Sequence, residues 1–203
     1  ANFRPGLLII DTSTPSIQND ICVLERLKNN WPEVKTVMVG SHPSVLAEEI
    51  LLNHRLVDFI ARKEYDYTTL ELAEKIADGE DLTTIQGISF YKAGQVISNP
   101  DRPYIENMDE LPMLSKVYKK YLNIKNYRFA AALYPMVMMI TGRGCPFRCS
   151  FCLYPQTMHG RKYRLRSAEN VVEEFSFIVQ ELPEVKEIVI EDDTFTAELG
   201  RVR

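Results

Sequence analysis

The sequence predicts an α/β protein in which a Rossmann-like domain with a parallel sheet is followed by the incomplete start of a (β/α) barrel. Short apolar runs alternate with amphipathic helical patterns along most of the 203 residues, which is typical of parallel strands joined by right-handed crossovers. Several of these runs end in acidic, glycine or small polar residues, where α/β folds place their ligands. We expect a Rossmann-like domain over residues 1–99, a linker over 100–129 and the truncated start of a barrel over 130–203.

The first domain begins with the apolar run Gly6 to Ile10, which ends at Asp11 and has the composition of a parallel strand buried on both faces. After a polar turn, the apolar residues of 17–30 recur at helical spacing, so this segment is predicted to be a helix. The same alternation continues with strands at 34–39 and 57–60, helices at about 44–53 and 67–77, and a hairpin over 85–98.

The composition limits the classes of function. The formal net charge of −4 gives no support for nucleic-acid binding by bulk charge. No apolar run approaches the roughly 18 residues that a membrane span needs. Three of the four cysteines are clustered, unlike a disulfide framework, so we expect a cytoplasmic protein with reduced thiols. The fourth, Cys22, falls in an apolar helical pattern and is predicted to be a buried structural thiol.

The three clustered cysteines, Cys145, Cys149 and Cys152, follow a predicted strand at 136–141 with the spacing C-x3-C-x2-C. Three close thiolates can hold an iron–sulfur cluster and leave one iron open for a ligand. Zinc is the alternative, but it usually takes four ligands in two close pairs, so His159 or a distant residue would have to be the fourth. Thiols with a purely structural role are the third possibility.

The rest of the second domain predicts a strand, loop, helix and strand, as at the start of a (β/α) barrel. Ser167 is a suitable N-cap for a helix over 168–181. The next strand, at 186–191, ends in Glu191, Asp192 and Asp193, which could also be a solvated acidic turn.

Two arginines, Arg164 and Arg166, precede the helix of the second domain. They are predicted to be surface charges, with contact to a cofactor carboxylate or a substrate acid as the second possibility.

The cysteine spacing, with the aromatic Phe151 before the last cysteine, resembles the signature of radical S-adenosylmethionine enzymes. The resemblance implies that Cys145, Cys149 and Cys152 hold a 4Fe–4S cluster. The free iron would then chelate the amino and carboxylate groups of S-adenosylmethionine, and electron transfer would cleave it to a 5′-deoxyadenosyl radical. The resemblance also implies that Phe151 lies near the adenine.

The same resemblance assigns a role to the acidic strand end. The family places its methionine-amine-binding segment after the second barrel strand, so Glu191 and Asp192 are the candidates for this contact. The glycine pair that often precedes the family's acid is absent here. A reductant such as flavodoxin or ferredoxin is the implied protein partner.

The order of elements in the first domain resembles the cobalamin-binding subfamily of these enzymes, which includes methyltransferases and the oxygen-independent magnesium-protoporphyrin monomethyl ester cyclase type. The resemblance implies cobalamin at the strand ends that carry Thr12, Ser13, Gly40 and Ser41. No Asp-x-His-x-x-Gly motif is present to supply a histidine to cobalt, and Lys63 stands where a glycine is expected. A domain of this type that binds no cobalamin therefore remains an alternative.

We therefore predict an enzyme that methylates or oxidatively cyclises an unknown substrate through radical chemistry. The alternative is a structural zinc or iron–sulfur electron-transfer module without radical chemistry. Only two strands and one helix of a barrel are predicted after residue 135, whereas a complete barrel contains six to eight units. We expect this chain to be an incomplete fragment that does not turn over by itself.

Overall fold

The computed structural model describes residues 4–202, which form two compact units. The first unit extends to Tyr104 and also includes Arg148–Gly160, whereas the second contains Ile105–Phe147 and the chain from Arg161 onward. The boundary between the units thus falls inside the cysteine loop. Residues 1–3 and Arg203, at the two ends of the predicted domains, lie outside the described residues. No helix within 4–202 is long and apolar enough to cross a membrane.

The first unit is built on a five-stranded sheet whose first three strands are parallel and whose last two form an antiparallel hairpin. In spatial order the strands are β1 (Leu7–Asp11), β2 (Lys35–Val39), β3 (Phe59–Ala61), β4 (Ile88–Lys92) and β5 (Gln95–Ser98). The helices between them are α1 (Ile17–Asn30), α2 (Ser41–Asn53) and α3 (Asp66–Asp78). This confirms the predicted parallel-sheet domain.

Hydrophobic side chains pack on both faces of this sheet, because successive residues of a strand point to opposite faces. Met38 and Ile60 lie in the cluster that also contains the buried residues of α1 and α2. Val37, Val39 and Phe59 lie in the second cluster, with Leu72 of α3. The helices therefore cover the faces of the sheet, so that the ligand site expected of such folds is the edge formed by the carboxyl ends of the parallel strands.

Two burial predictions for the first unit are wrong. The strand β1 is half-buried, with Ile9 44% exposed, because it pairs only with β2 and forms the edge of the described sheet. Cys22 is exposed because the buried stripe of α1 consists of Ile17, Ile21 and Leu24, and Cys22 lies beside this stripe.

The second unit contains one parallel strand pair joined by a helical crossover, as predicted for the start of a barrel. Its strands are β6 (Met136–Met139), β7 (Gly142–Arg143), β8 (Arg164–Leu165) and β9 (Glu187–Ile190). Its helices are α4 (Leu114–Tyr121), α6 (Ala168–Glu181) and α7 (Leu199–Val202), while the short α5 (Tyr154–Thr157) lies in the cysteine segment of the first unit. β6 pairs parallel with β9, and β7 pairs antiparallel with β8.

Short 3-10 helices lie in both units. The one at Leu82–Thr84 belongs to the first unit, and those at Met108–Glu110, Ile124–Asn126 and Phe195–Ala197 belong to the second.

A buried ion pair stabilises the segment between β8 and α6. Arg166 contacts Glu174, whose side chain is fully buried, and also donates to the carbonyl oxygen of Ile140 at 2.8 Å. The other oxygen of Glu174 accepts from the backbone N–H of Ser115 at 2.9 Å. Arg164 is buried as well and donates to the carbonyl of Ile105 at 2.6 Å. The prediction that these arginines are surface charges is therefore wrong.

Candidate functional site

The cysteine loop begins at the carboxyl end of β6 and contains three free thiols. Gly144 has a φ of +92°, a conformation that favours glycine, and Cys145 follows it. Cys145 and Cys152 are half-buried, whereas Cys149 is exposed. The backbone N–H of Cys152 donates to the carbonyl of Cys149 at 3.2 Å, which closes a turn around the last two cysteines.

The donor set fits an iron–sulfur cluster in its chemistry, because accessible cysteine thiolates are the ligands that such clusters take. Within residues 4–202, no three side chains of His, Cys, Asp or Glu lie close enough together to hold a metal ion.

Aromatic side chains lie close to the cysteines in the sequence. Phe151 is 88% exposed, so its ring is available to a ligand. His159, the alternative fourth zinc ligand, is half-buried and packs edge-on against Tyr154, with 6.1 Å between the ring centroids.

The acidic end of β9 lies against the first residues of the cysteine loop. One carboxylate oxygen of Asp192 accepts from the backbone N–H groups of Thr141 at 2.6 Å and Gly142 at 3.1 Å. The other oxygen accepts from the hydroxyls of Thr141 at 2.5 Å and Tyr163 at 3.0 Å. A carboxylate offers about four acceptor positions, so this side chain is saturated by the protein.

The carboxylates of Asp193 and Glu191, on either side of Asp192, differ in their hydrogen bonding. The carboxylate of Asp193 accepts from the backbone N–H of Gly144 at 2.8 Å. Glu191 is exposed, and no residue of the described chain donates a hydrogen bond to its carboxylate, although its backbone N–H donates to Met139 at 2.9 Å.

Tyr163 and Arg201 complete this network around Thr141, which is fully buried. Desolvation by burial, followed by the negative charge of Asp192, raises the pKa of the Tyr163 hydroxyl, which therefore stays protonated and donates to the carboxylate. Arg201 donates to the hydroxyl of Thr141 at 3.2 Å and to its carbonyl at 3.0 Å.

Gly142 is needed where β7 and β8 approach each other. A Cβ atom at this position would lie 2.8 Å from side-chain atoms of both Leu165 and Tyr163 and 3.0 Å from the carbonyl oxygen of Arg164. The absence of a side chain lets the β7–β8 pair close against the ring of Tyr163.

In the first unit, Thr12 and Ser13 follow β1 at the expected edge. Thr12 is buried; its N–H donates to the carbonyl of Val39 at 2.9 Å, and its hydroxyl donates to Asp20. Ser13 is exposed, and its N–H donates to Ser16 at 3.1 Å. Both residues thus help to form the turn between β1 and α1, and the side chain of Ser13 is the more accessible one.

Gly40 connects β2 to α2 with a φ of +107°. A Cβ atom there would lie 2.4 Å from both a carboxylate oxygen of Asp11 and the carbonyl oxygen of Thr12. This tight turn lets α2 begin at Ser41, three residues before the predicted start, and Ser44 donates to the carbonyl of Gly40 at 2.8 Å. The ends of β1 and β2 are therefore in direct contact.

Several contacts in both sites could not be predicted from the sequence. Thr14 and His42 share a hydrogen bond of 3.0 Å between the β1 and β2 loops. Lys63 adopts a φ of +60°, as the expected glycine would, and its ammonium group binds Asp101 at 2.6 Å. Tyr163 and Arg201 belong to no motif and no apolar period, so only their three-dimensional contacts reveal them.

Comparisons with known proteins agree with this architecture. Residues 139–202 match the sequence profile of the Radical SAM superfamily. An uncharacterised methyltransferase of Pyrococcus horikoshii is 33% identical over 194 residues, which cover 96% of this chain and 41% of that protein. The anaerobic magnesium-protoporphyrin IX monomethyl ester cyclase of Rubrivivax gelatinosus is 29% identical over 186 residues, which cover 88% of this chain and 32% of that protein.

Among solved structures, the radical S-adenosylmethionine methyltransferase TsrM from Kitasatospora setae, with cobalamin and a [4Fe–4S] cluster bound, matches with a TM-score of 0.70. The match covers 98% of this chain and 39% of TsrM at 16% identity, so it establishes the fold alone. The chain spans about two fifths of the length of the first of these relatives and of TsrM, and about a third of the cyclase. Residues 139–202 of this chain therefore match the Radical SAM superfamily, and the chain shares its α/β architecture with a cobalamin-containing protein.

Proposed function

We propose that this chain is part of a radical S-adenosylmethionine enzyme of the cobalamin-binding subfamily, in which Cys145, Cys149 and Cys152 hold a 4Fe–4S cluster. One observation carries the proposal: three free thiols with C-x3-C-x2-C spacing follow β6 and lie within residues 139–202, which match the Radical SAM superfamily. A cluster held there would pass one electron from an external reductant to S-adenosylmethionine, which would then split into methionine and a 5′-deoxyadenosyl radical.

Within this proposal, two exposed side chains near the loop are candidates for contacts with S-adenosylmethionine. Phe151 offers an accessible ring for the adenine, and Glu191 offers a carboxylate for the methionine amine. Both roles follow from the resemblance at these positions and are supported by the accessibility of the two side chains.

We also propose that the parallel-strand edge of the first unit binds cobalamin, through Thr12, Ser13, Gly40 and Ser41. The support is their location at the carboxyl ends of β1 and β2, in an architecture shared with cobalamin-bound TsrM. In this proposal residues 1–99 form the cobalamin-binding domain, 100–129 the linker and 130–203 the start of the barrel.

The proposed reaction is the methylation or oxidative cyclisation of a small molecule by the whole protein. The names of two relatives, a methyltransferase and a cyclase, support these two reaction types. The partner is a one-electron protein reductant such as flavodoxin or ferredoxin.

Anaerobic reconstitution of the 203-residue chain with iron and sulfide tests the cluster assignment. The expected result is one four-iron cluster per chain, which is lost in Cys149→Ala and retained in the matched variant Cys22→Ala, since Cys22 is an exposed cysteine outside the loop. Stoichiometric zinc that resists replacement by iron would overturn the assignment. Cobalamin binding is measured separately by titration, because its absence would leave the cluster assignment intact.

A further inference from the structure

We propose that Asp192 and Asp193 are positioning residues that hold the stem of the cysteine loop, the segment Thr141–Gly144, and that Asp192 does not bind S-adenosylmethionine. This inference deepens the proposed function and rests on it, because the position of the stem matters for chemistry only if the loop holds a cluster.

Asp192 is saturated by hydrogen bonds from the protein. Its two oxygens accept four hydrogen bonds from Thr141, Gly142 and Tyr163. Hydrogen bonds to an ionised carboxylate are roughly twice as strong as neutral ones. A cofactor ammonium could bind this carboxylate only by displacing a protein donor, two of which are backbone amides at the start of the loop.

The groups that the two aspartates hold are backbone amides of the loop stem. Asp192 binds the N–H groups of Thr141 and Gly142, and Asp193 binds that of Gly144, which directly precedes Cys145. Glycine loses more conformational freedom on folding than any other residue, so a stem with two glycines does not hold one path by itself. The two carboxylates supply the missing restraint from the end of β9.

The hydrogen bonds of Asp192 continue through Thr141 to Arg201. Thr141 is fully buried, and Arg201 donates to both its hydroxyl and its carbonyl. The protonated hydroxyl of Tyr163 fills the remaining acceptor position of Asp192. A half-buried carboxylate with complete hydrogen bonding is typical of a group that stabilises one local geometry.

Glu191 provides the contrast within the same run of acids. It is exposed, and within residues 4–202 its carboxylate accepts no hydrogen bond. The strand end thus contains two carboxylates that hold the loop and one that is available to a ligand. This separation makes Glu191→Gln the matched control for variants of Asp192 and Asp193.

The test measures the alkylation rate of each cysteine in the cluster-free chain with iodoacetamide, resolved by peptide mass spectrometry. Exposed Cys22 serves as the internal reference. Loss of one or two charge-assisted hydrogen bonds should raise the rate at half-buried Cys145, relative to Cys22, by roughly fivefold or more in Asp192→Asn and Asp193→Asn. Glu191→Gln should leave the ratio unchanged, and circular dichroism of each variant confirms that it is folded.

The same variants are then reconstituted, and the loss of iron to a chelator is followed over time. We expect Asp192→Asn and Asp193→Asn to lose iron several-fold faster than Glu191→Gln. If Asp192→Asn does not fold, Thr141→Val and Tyr163→Phe are used instead of it in both measurements. Each of these substitutions removes a single hydrogen-bond donor from the Asp192 carboxylate.

Unchanged Cys145 alkylation and unchanged iron loss in folded variants of both aspartates would overturn the inference. Failure of the proposed function is distinguishable, because wild-type chain would then form no four-iron cluster. In that case the alkylation measurement on cluster-free chain still decides whether the aspartates hold the stem.

Discussion

Arg166 and Glu174 form an ion pair in the interior of the second unit, where the guanidinium lies 2.5 Å from a carboxylate that is fully buried. The pair joins the residue before the α6 N-cap to the middle of that helix, and both partners make further bonds, Arg166 to Ile140 and Glu174 to Ser115. Because Ile140 immediately precedes the stem of the cysteine loop, the pair fixes the point from which the loop departs.

Removing one partner of this pair should destabilise the protein strongly. Glu174→Gln leaves the Arg166 charge buried without its counter-ion, which typically costs about 3–5 kcal/mol. The free energy of unfolding, measured by urea titration of the chain, provides the check. Glu173→Gln is the matched control because Glu173 is exposed, and it should change stability by less than about 0.5 kcal/mol. Equal, small effects of both substitutions would contradict the structural role of the pair.

The turn after β2 should tolerate no side chain. Gly40→Ala combines an unfavourable positive φ with contacts of 2.4 Å to Asp11 and Thr12, so we expect a loss of more than about 3 kcal/mol. Gly94 also has a positive φ, but nothing lies within 4 Å of its missing Cβ, so Gly94→Ala should cost only about 1–2 kcal/mol. Thermal unfolding of the two variants separates steric contact from backbone strain. A loss in Gly94→Ala as large as that in Gly40→Ala would contradict this account of the turn.

The carboxylate of Asp11 should lower stability at neutral pH. Desolvation by burial raises its pKa, partly opposed by the hydroxyl of Tyr65 and assisted by the charge of Asp20. Because this pKa is higher in the folded state, the carboxyl group of Asp11 stabilises the fold fully only at a pH below its pKa in the unfolded chain. That stabilisation is lost as the pH rises through the pKa of the folded state. Asp11→Asn should therefore raise the melting temperature at pH 7, with the difference vanishing near pH 3.

The neighbouring Asp20 should behave with the opposite sign. The hydroxyl of Thr12 lowers the pKa of Asp20, so the stability contribution of its carboxylate is present above the unfolded pKa and is lost as pH falls through the folded pKa. Asp20→Asn should lower the melting temperature at pH 7 and have less effect near pH 3. Melting curves of both variants across this pH range provide the check, and the same sign for both would contradict these assignments.

The order of helices and strands could be predicted from the sequence because periodic apolar residues report directly which faces are buried. The segment 17–30, for example, forms the predicted helix with the predicted stripe of Ile17, Ile21 and Leu24. The start of α2 could not be placed, since it depends on the turn at Gly40 and its close approach to Asp11.

The cysteine motif and the acids at the end of β9 could also be identified, because both are local in sequence. The hydrogen-bond partners that give the three acids different environments could not be identified from the sequence. Thr141 and Asp192 are about fifty positions apart, and Tyr163 contributes a hydroxyl that no periodic pattern marks. For the same reason the burial of Arg166 was missed, since an arginine becomes an interior residue only when a partner such as Glu174 is supplied from elsewhere.

The most direct test of the central claim is Mössbauer spectroscopy of the chain reconstituted anaerobically with iron-57 and sulfide, with iron and zinc counted in the same sample. The account predicts one 4Fe–4S cluster per chain, abolished by alanine at any of Cys145, Cys149 or Cys152 and retained in Cys22→Ala. Mononuclear iron, stoichiometric zinc, or a four-iron cluster that survives the loss of Cys149 would contradict it.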